Sequence, residues 1–208
     1  MRPVLYHSTG ARGLRVLWTV EEIGLDCDLR LLPFPPRHQA PDYLAVNPLG
    51  TVPALVFGDV TMTESTAIAH FLAARSGPTP LIVEADEPDY GAFLDFLHHA
   101  DATLTFPQTV YLRFAVLEPG RGLADAGKLY AEWFAARLVK LERRLEGARE
   151  FLCGGRFTIA DIAIAYALFL AETIGLGDHM PAAVRDYGRR MMDRPAFKRA
   201  REREQASG

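Results

Sequence analysis

The spacing of apolar residues changes near residue 80, and this change limits the fold more than any other feature of the chain. Before it, short apolar runs alternate with stretches of helical period; after it, every long segment has helical period. Proline follows the same division, because nine of the 14 prolines lie within residues 1–80. We therefore predict a first domain of residues 1–78, a linker of residues 79–86 and a second domain of residues 87–208.

The first domain is predicted to contain four short strands and two helices. In chain order they are a strand at 3–7, a helix from Gly13, a strand at 28–32, strands at 52–57 and 60–62, and a helix from Thr63-Glu64-Ser65. A strand, a helix and a strand in succession normally give a parallel pair, because parallel strands need a long crossover. The whole order is typical of a thioredoxin-like α/β domain.

The second domain is predicted to be an all-α helical bundle. Its most apolar segment, residues 159–174, has only Asp161 and Glu172 as charged residues, which is typical of a buried central helix. Residues 93–111 are expected to form one helix or a kinked pair, with Pro107 at the kink. The predicted fold is thus a thioredoxin-like α/β N-terminal domain followed by an all-α helical-bundle C-terminal domain.

Composition excludes several classes of function. A formal net charge of -3 argues against a protein that grips nucleic acid, and no apolar run approaches the roughly 20 residues of a membrane-spanning helix. Two cysteines, Cys27 and Cys153, are too few for a disulfide framework and are typical of a reducing compartment. His98 and His99 diverge by about 100° on a helix, so they do not readily face one ion. We predict a cytoplasmic protein with no metal and with no nucleic-acid or membrane partner.

The segment Asn47–Leu55 enters a predicted strand through Pro53, which cannot donate a ladder hydrogen bond. A cis Val52–Pro53 bond would turn the amide and carbonyl of Val52 outward, where they can pair with an extended peptide ligand. The alternative is an ordinary trans proline in a turn, which is the more frequent state of an isolated X-Pro bond.

Ser65 is predicted to lie in the first turn of a helix, where free N–H groups and the helix dipole bind anions. Its hydroxyl and amide suit the carboxylate of a ligand, and the carboxylate of Glu64 suits a ligand ammonium. The alternative is a helix cap that serves no ligand.

Thr158 and Asp161 form a predicted capping box at the start of the central helix, with Asp in the place of the usual Glu or Gln. Thr158 caps the helix, and Asp161 reaches back to the amide of the cap residue. The expected role of both residues is structural.

The order of three motifs resembles the glutathione S-transferase family, of the bacterial-type cytosolic kind. The resemblance implies a glutathione-binding first domain, an all-helical second domain, glutathione as co-substrate and a homodimer. The motifs are Asn47-Pro48-x-Gly50-x-Val52-Pro53-x-Leu55, Glu64-Ser65-x-Ala67-Ile68 and Phe157-Thr158-x-Ala160-Asp161-Ile162.

The resemblance also implies roles for single residues. Val52 would pair with the cysteinyl backbone of glutathione, and the bond before the next residue, Pro53, would be cis. Glu64 and Ser65 would hold the γ-glutamyl end. At the glycyl carboxylate, Gln39 is the first choice and His38 its rival.

The match is weaker where the glutathione thiol must become a thiolate. The family uses a Tyr, Ser, Thr or Cys after the first strand, but alignment places Gly10 at the usual Ser or Thr position and Arg12 where cysteine-type bacterial enzymes carry Cys. We rank Ser8 with Arg12 first, Thr9 second and Tyr6 third. A guanidinium near sulfur favours the thiolate by charge. A backbone amide as stabiliser, and a surface salt bridge of Arg12, are the alternatives.

The predicted function is a glutathione transferase that adds the activated thiol to a small hydrophobic electrophile, typical of detoxification. Phe106, Tyr111 and Phe114 are expected to line the second-substrate pocket, with core packing as the alternative. Two other functions stay open: a glutathione-dependent thiol or peroxide reductase, and a glutathione- or ligand-binding protein with little catalysis.

Overall fold

The computed structural model describes residues 2–206, and its sheet has the order expected of a thioredoxin-like domain. Residues 1, 207 and 208, at the outer ends of the predicted domains, lie outside the described residues. The strands are β1 (Val4–His7), β2 (Asp28–Leu31), β3 (Ala54–Phe57) and β4 (Val60–Met62). β1 runs parallel to β2, and β3 runs antiparallel to both β1 and β4. The predicted fold class and the parallel pair are confirmed. Across the sheet the strands lie in the order β2-β1-β3-β4.

Helices fill most of the remaining chain. Short 3-10 turns at Pro41–Ala45, Pro119–Arg121 and Gly177–His179 lie between them. Within residues 2–206, no helix combines the length and the apolar character that a membrane span needs. The α-helices are α1 (Gly13–Ile23), α2 (Pro36–Gln39), α3 (Ser65–Arg75), α4 (Tyr90–His99), α5 (Phe106–Tyr111), α6 (Ala124–Leu145), α7 (Ile159–Thr173), α8 (Ala182–Met192) and α9 (Pro195–Ala206).

The structure divides the chain into two compact units. One unit comprises Met1–Ile82 together with Asp193–Gly208, and the other comprises Val83–Met192. The first boundary between the units, after Ile82, lies within the segment 79–86 that the sequence analysis predicts to be a linker. The sequence analysis assigned the C-terminal segment to the second domain, but residues 193–206 group with the sheet and helices α1–α3 and not with helices α4–α8.

Contacts between α1 and α9 explain this grouping. Residues 13–20 of α1 are all buried, and a helix buried on all sides needs a cover beyond the sheet. α9 provides it: Trp18 packs against Phe197 with ring centroids 4.8 Å apart. At the edge of this contact, Arg194 donates to both carboxylate oxygens of Glu22, at 2.7 and 2.9 Å. The sequence of α9 is rich in charged residues and therefore does not indicate that this helix covers α1.

In the second unit α7 is the buried central helix, as predicted, with residues 159–168 all buried. The predicted capping box is present: the Thr158 amide donates to Asp161 at 2.8 Å. Asp161 also accepts hydrogen bonds from the Leu152 amide at 2.9 Å and the Tyr187 hydroxyl at 2.8 Å.

The segment expected to kink at Pro107 is built differently. α4 continues into a π-helical stretch at Ala100–Thr105, and a second one, Leu112–Leu117, follows α5. Pro107 is the second residue of α5, directly after the first π-helical stretch. The α-helical hydrogen-bond ladder is already interrupted there, so the missing amide proton of proline falls at the interruption.

Candidate functional site

One edge of the sheet collects the segments that the motifs single out. Tyr6, near the end of β1, lies opposite Ala54 at the start of β3. β4 runs antiparallel to β3, so it ends at this edge and α3 begins there. A Cβ added to Gly13, the first residue of α1, would lie 3.2 Å from the Cβ of Pro53. The N-termini of α1 and α3 and the start of β3 are therefore neighbours.

The loop Ser8–Arg12 joins β1 to α1 at this edge. The Ala11 amide donates to the Ser8 carbonyl at 2.9 Å and closes a turn. Gly10 has a φ of +74°, a left-handed conformation that glycine adopts without strain. Arg12 occupies the N-cap of α1. The positive end of the helix dipole therefore lies at this loop.

The structure places the candidate thiolate stabilisers in different surroundings. Ser8 is buried, and its Oγ has no hydrogen-bond partner among the described residues. The exposed Thr9 donates its hydroxyl to the Glu204 carbonyl at 3.1 Å. The ring of Tyr6 packs against Tyr43, with centroids 5.3 Å apart. The Ser8 hydroxyl is closed off from solvent, whereas Arg12 is only half-buried.

A buried pair beside the loop was missed by the sequence reading. Glu204 Oε2 lies 2.8 Å from His7 Nε2 and accepts a hydrogen bond from the Gly10 amide at 3.0 Å. Both side chains of the pair are fully buried. Alternation along β1 could have indicated that His7 points inward. The sequence does not indicate that Glu204 is buried, because residues 201–204 alternate in charge, which is typical of a solvated helix face.

The bond between Val52 and Pro53 is cis, as the resemblance implies. The loop before it is held by the side chains of Asn47 and Tyr43, for which the sequence predicts no separate role. The side-chain amide of Asn47 donates to the Thr51 carbonyl at 2.8 Å, and the Tyr43 hydroxyl donates to the same oxygen at 2.7 Å. The backbone that leads into β3 is therefore fixed before any ligand binds.

Ser65 begins α3, directly after the exposed Glu64 at its N-cap. Ser65 is buried, and its Oγ accepts a hydrogen bond from Arg15 Nη1 at 3.1 Å. Arg15 lies on α1 and is itself fully buried. The Ser65 hydroxyl therefore has a charged donor on one side, and its own proton is directed away from that donor.

Gln39 and His38 end the short helix α2, and both are exposed. The side-chain amide of Gln39 donates one proton, from Nε2, to the Phe34 carbonyl at 2.8 Å. The bond between Phe34 and Pro35 is a second cis bond, which the sequence reading did not predict.

Comparison with known proteins identifies the family. Residues 11–75 match the family model described as glutathione S-transferase, N-terminal domain. Residues 138–203 match the model described as glutathione S-transferase, C-terminal domain. The chain belongs to the glutathione S-transferase family. The resemblance seen in the ordered motifs is confirmed.

Relatives of this transferase-family chain include enzymes from fungi and plants. A glutathione S-transferase 3 from Schizosaccharomyces pombe is 24% identical, over 96% of this chain and 87% of that protein. Another, from Zea mays, is 31% identical, over 71% of this chain and 68% of the relative.

Solved structures share the fold. The glutathione transferase URE2P8 from Phanerochaete chrysosporium, crystallised with oxidized glutathione, has a TM-score of 0.85 at 21% identity and covers 99% of this chain and 96% of its own. The nitrogen regulation fragment of the yeast prion protein Ure2p has a TM-score of 0.83 at 24% identity, with coverages of 97% and 96%.

The three aromatic residues expected to line the second-substrate pocket of the transferase lie in the second unit, on α5 and just after it. Phe106 is exposed, and its ring lies 5.9 Å from that of Tyr130 between centroids. Tyr111 and Phe114 are half-buried. None of the three is fully buried in the core.

The adjacent histidines of α4 diverge, as helix geometry requires. His98 is exposed, whereas His99 is buried, and this burial, assisted by the charge of Lys140, lowers the pKa of His99 to about 4. Within residues 2–206, no three His, Cys, Asp or Glu side chains gather in a way that could hold a metal ion.

Proposed function

We propose that this family member is a glutathione transferase, which binds glutathione at the sheet edge described above and activates its thiol for attack on a small hydrophobic electrophile. The observation that carries the proposal is the convergence of two helix N-termini and the Val52–Pro53 strand entry at that edge. Helix N-termini bind anions, and free strand backbone pairs with extended peptides. Glutathione, a tripeptide with two carboxylates, needs both kinds of partner.

The γ-glutamyl end fits the start of α3. Since the Ser65 Oγ accepts from Arg15, its hydroxyl proton is available to the carboxylate of a ligand. The first turn of α3 adds backbone N–H groups and the positive end of the dipole. The exposed Glu64 supplies a negative charge for the ligand ammonium. This arrangement suits a zwitterionic amino-acid end.

The remaining backbone of glutathione fits Val52 and α2. The amide and carbonyl of Val52 would pair with the cysteinyl residue, as an added strand pairs with a sheet. Gln39 uses one amide proton for the Phe34 carbonyl and has a second for the glycyl carboxylate. The exposed His38, next to it, is the rival for that carboxylate.

Thiol activation is assigned to Arg12 and the N-terminus of α1, with Ser8 and then Thr9 as further candidates. The thiol proton leaves to solvent, and the guanidinium charge and helix dipole favour the thiolate that remains. The thiolate then attacks the electrophilic carbon, a C–S bond forms, and the leaving group departs with its electron pair. We assign the pocket for the electrophile to Phe106, Tyr111 and Phe114.

The test combines retention on immobilised glutathione with turnover of a chlorodinitrobenzene. The wild-type protein is expected to be retained and active. Arg12→Ala is expected to lower turnover by about tenfold, the effect of about one pKa unit on the thiol. Arg30→Ala, an exposed arginine on β2, is the matched control and should behave as wild type. If the folded wild-type protein does not bind glutathione, the proposed function is refuted.

A ligand-binding protein with little turnover is the second candidate. It is favoured by Gly10, which stands where the family carries a hydroxyl, and by the burial of the Ser8 hydroxyl. Retention on glutathione without turnover of any electrophile supports this function. Turnover of a hydroperoxide, but not of chlorodinitrobenzene, supports the reductase alternative.

We also propose that the protein is a cytoplasmic homodimer. The cysteines bear on the compartment. Cys27 and Cys153 are free and buried, and burial raises the pKa of their thiols to about 11 and about 12, so both stay protonated and unreactive.

The homodimer is the assembly that the family resemblance implies. Light scattering should give about twice the chain mass of 23.0 kDa. A mass of one chain would refute the dimer.

A further inference from the structure

A buried carboxylate on α9 holds the loop that precedes α1. Glu204 Oε2 lies 2.8 Å from His7 Nε2 and accepts from the Gly10 amide at 3.0 Å. The Glu204 carbonyl accepts from the Thr9 hydroxyl at 3.1 Å. Arg201, on the same helix, pairs with the other carboxylate oxygen. One residue thus fixes three positions at the end of β1 and in the loop.

The titratable and charged side chains that face this carboxylate are His7 from β1 and Arg201 from α9, and the neutral Gly10 amide faces it as well. Burial alone would raise the pKa of Glu204, but the hydrogen bonds from His7 and Gly10 and the charge of Arg201 outweigh it and lower that pKa. An ionised carboxylate only accepts hydrogen bonds, so His7 Nε2 and the Gly10 amide both donate to it. Removal of the carboxylate would leave these buried donors without an acceptor.

The ring of His7 transmits this contact to the start of α1. Its second nitrogen, Nδ1, is buried and has no hydrogen-bond partner among the described residues. A Cβ added to Gly13 would come within 2.4 Å of that nitrogen. The imidazole therefore lies between the Glu204 carboxylate and the first residue of α1, with no room for either to move towards the other.

We propose that Glu204 is a positioning residue for thiol activation, because it fixes the backbone around Gly10 and thereby the direction in which Arg12 and the N-terminus of α1 face the sulfur. This inference rests on the proposed function. The contacts assigned to the glutathione backbone, at Val52 and Ser65, do not involve Glu204. Its loss should therefore change the reactivity of the bound thiol more than the affinity for glutathione.

The experiment compares Glu204→Ala and Glu204→Gln with Glu202→Gln, an exposed residue of α9 whose substitution removes the same charge. Bound thiolate is followed by its ultraviolet absorbance across a pH series, and kcat and KM are measured with glutathione and a chlorodinitrobenzene. For Glu204→Ala we expect a raised pKa of the bound thiol and a kcat about tenfold lower at neutral pH, with KM for glutathione little changed. Glu204→Gln, which keeps an acceptor oxygen, should retain part of the activity, and Glu202→Gln should match wild type.

The outcomes separate this inference from the function on which it rests. If wild type binds and turns over glutathione and Glu204→Ala has the wild-type thiol pKa and kcat, the positioning role is refuted alone. If Glu204→Gln fails to fold, or if KM rises while the thiol pKa stays constant, the role of Glu204 is structural and the inference is refuted. If folded wild type does not bind glutathione, the proposed function and the inference fail together.

Discussion

Arg15 Nη1 donates a hydrogen bond to Ser65 Oγ at 3.1 Å, and both side chains are buried. Arg15 lies in the first turn of α1, and Ser65 is the first residue of α3. One hydrogen bond thus ties together the N-termini of two helices at the sheet edge where glutathione is proposed to bind. A charged donor makes such a bond stronger than one between neutral groups.

Replacing Ser65 should therefore weaken both folding and binding. In Ser65→Ala, a buried Arg15 donor loses an acceptor, and we expect a free energy of unfolding lower by about 1–3 kcal/mol. The affinity for glutathione should fall as well, because the hydroxyl assigned to the γ-glutamyl carboxylate is removed. Denaturant unfolding and calorimetric titration measure the two effects. Ser76→Ala, at the opposite end of α3, is the control for binding, and a wild-type affinity in Ser65→Ala would contradict the assignment.

Gly13 is expected to tolerate no side chain, because a Cβ there would lie 2.4 Å from Nδ1 of the buried His7. Gly13→Ala should destabilise the protein by about 1–3 kcal/mol, the usual cost of overpacking a core. Gly91→Ala is the matched control: this glycine lies in the first turn of α4 with nothing within 4 Å of the added Cβ. The control should be stabilised by up to about 1 kcal/mol, since alanine favours helix. Chemical denaturation checks both, and equal effects would contradict the steric argument.

Much of the fold follows from local pattern. Short apolar runs located β1 and β2, and a helical period that ends at Gly24 located α1, because strand and helix periods differ and Gly24 takes the left-handed conformation that ends a helix. The capping box at Thr158 located the start of α7 for the same kind of reason: both partners are three residues apart. Local signals of this kind need no knowledge of tertiary contacts.

The parts that could not be predicted depend on residues far apart in the chain. His7 and Glu204 are separated by 197 positions, and a carboxylate among alternating charges gives no sign that it is buried. Likewise, nothing in the helical period of α1 indicates that the Arg15 side chain is buried and bonded to Ser65. Such pairs arise only when α9 and α3 pack against α1, which no periodicity in one segment can indicate.

The carboxyl of Glu87, which forms an ion pair in the second unit, should titrate at a pH far below the ordinary pKa of a glutamate. Arg156 donates to both oxygens of Glu87, at 2.6 and 2.7 Å, and these bonds hold the pKa of the Glu87 carboxyl at about 2. A lowered pKa means that the carboxylate stabilises the fold above its ordinary value of 4.5 and that this contribution is lost as the pH falls towards 2. Carbon-detected NMR titration should place the midpoint of the Glu87 carboxyl at about 2 in wild type and closer to 4.5 in Arg156→Gln. An unchanged midpoint in the variant would show that the arginine is not the cause.

Asp161 should matter more to stability than the threonine that it helps to cap. Its buried carboxyl accepts from the Thr158 amide at 2.8 Å, the Leu152 amide at 2.9 Å and the Tyr187 hydroxyl at 2.8 Å. Asp161→Ala leaves these buried donors without an acceptor, and we expect a loss of about 3–5 kcal/mol. Thr158→Ala removes mainly a cap and should cost about 1 kcal/mol.

Thermal and denaturant unfolding of the two variants measure this difference. Tyr187→Phe provides the control, since it removes only the hydroxyl that donates to Asp161 and leaves the ring, so its cost should be about 1–2 kcal/mol. If Thr158→Ala destabilises the protein as much as Asp161→Ala, the capping interaction alone carries the stability, and the network that joins α7 to Leu152 and to Tyr187 of α8 contributes nothing further.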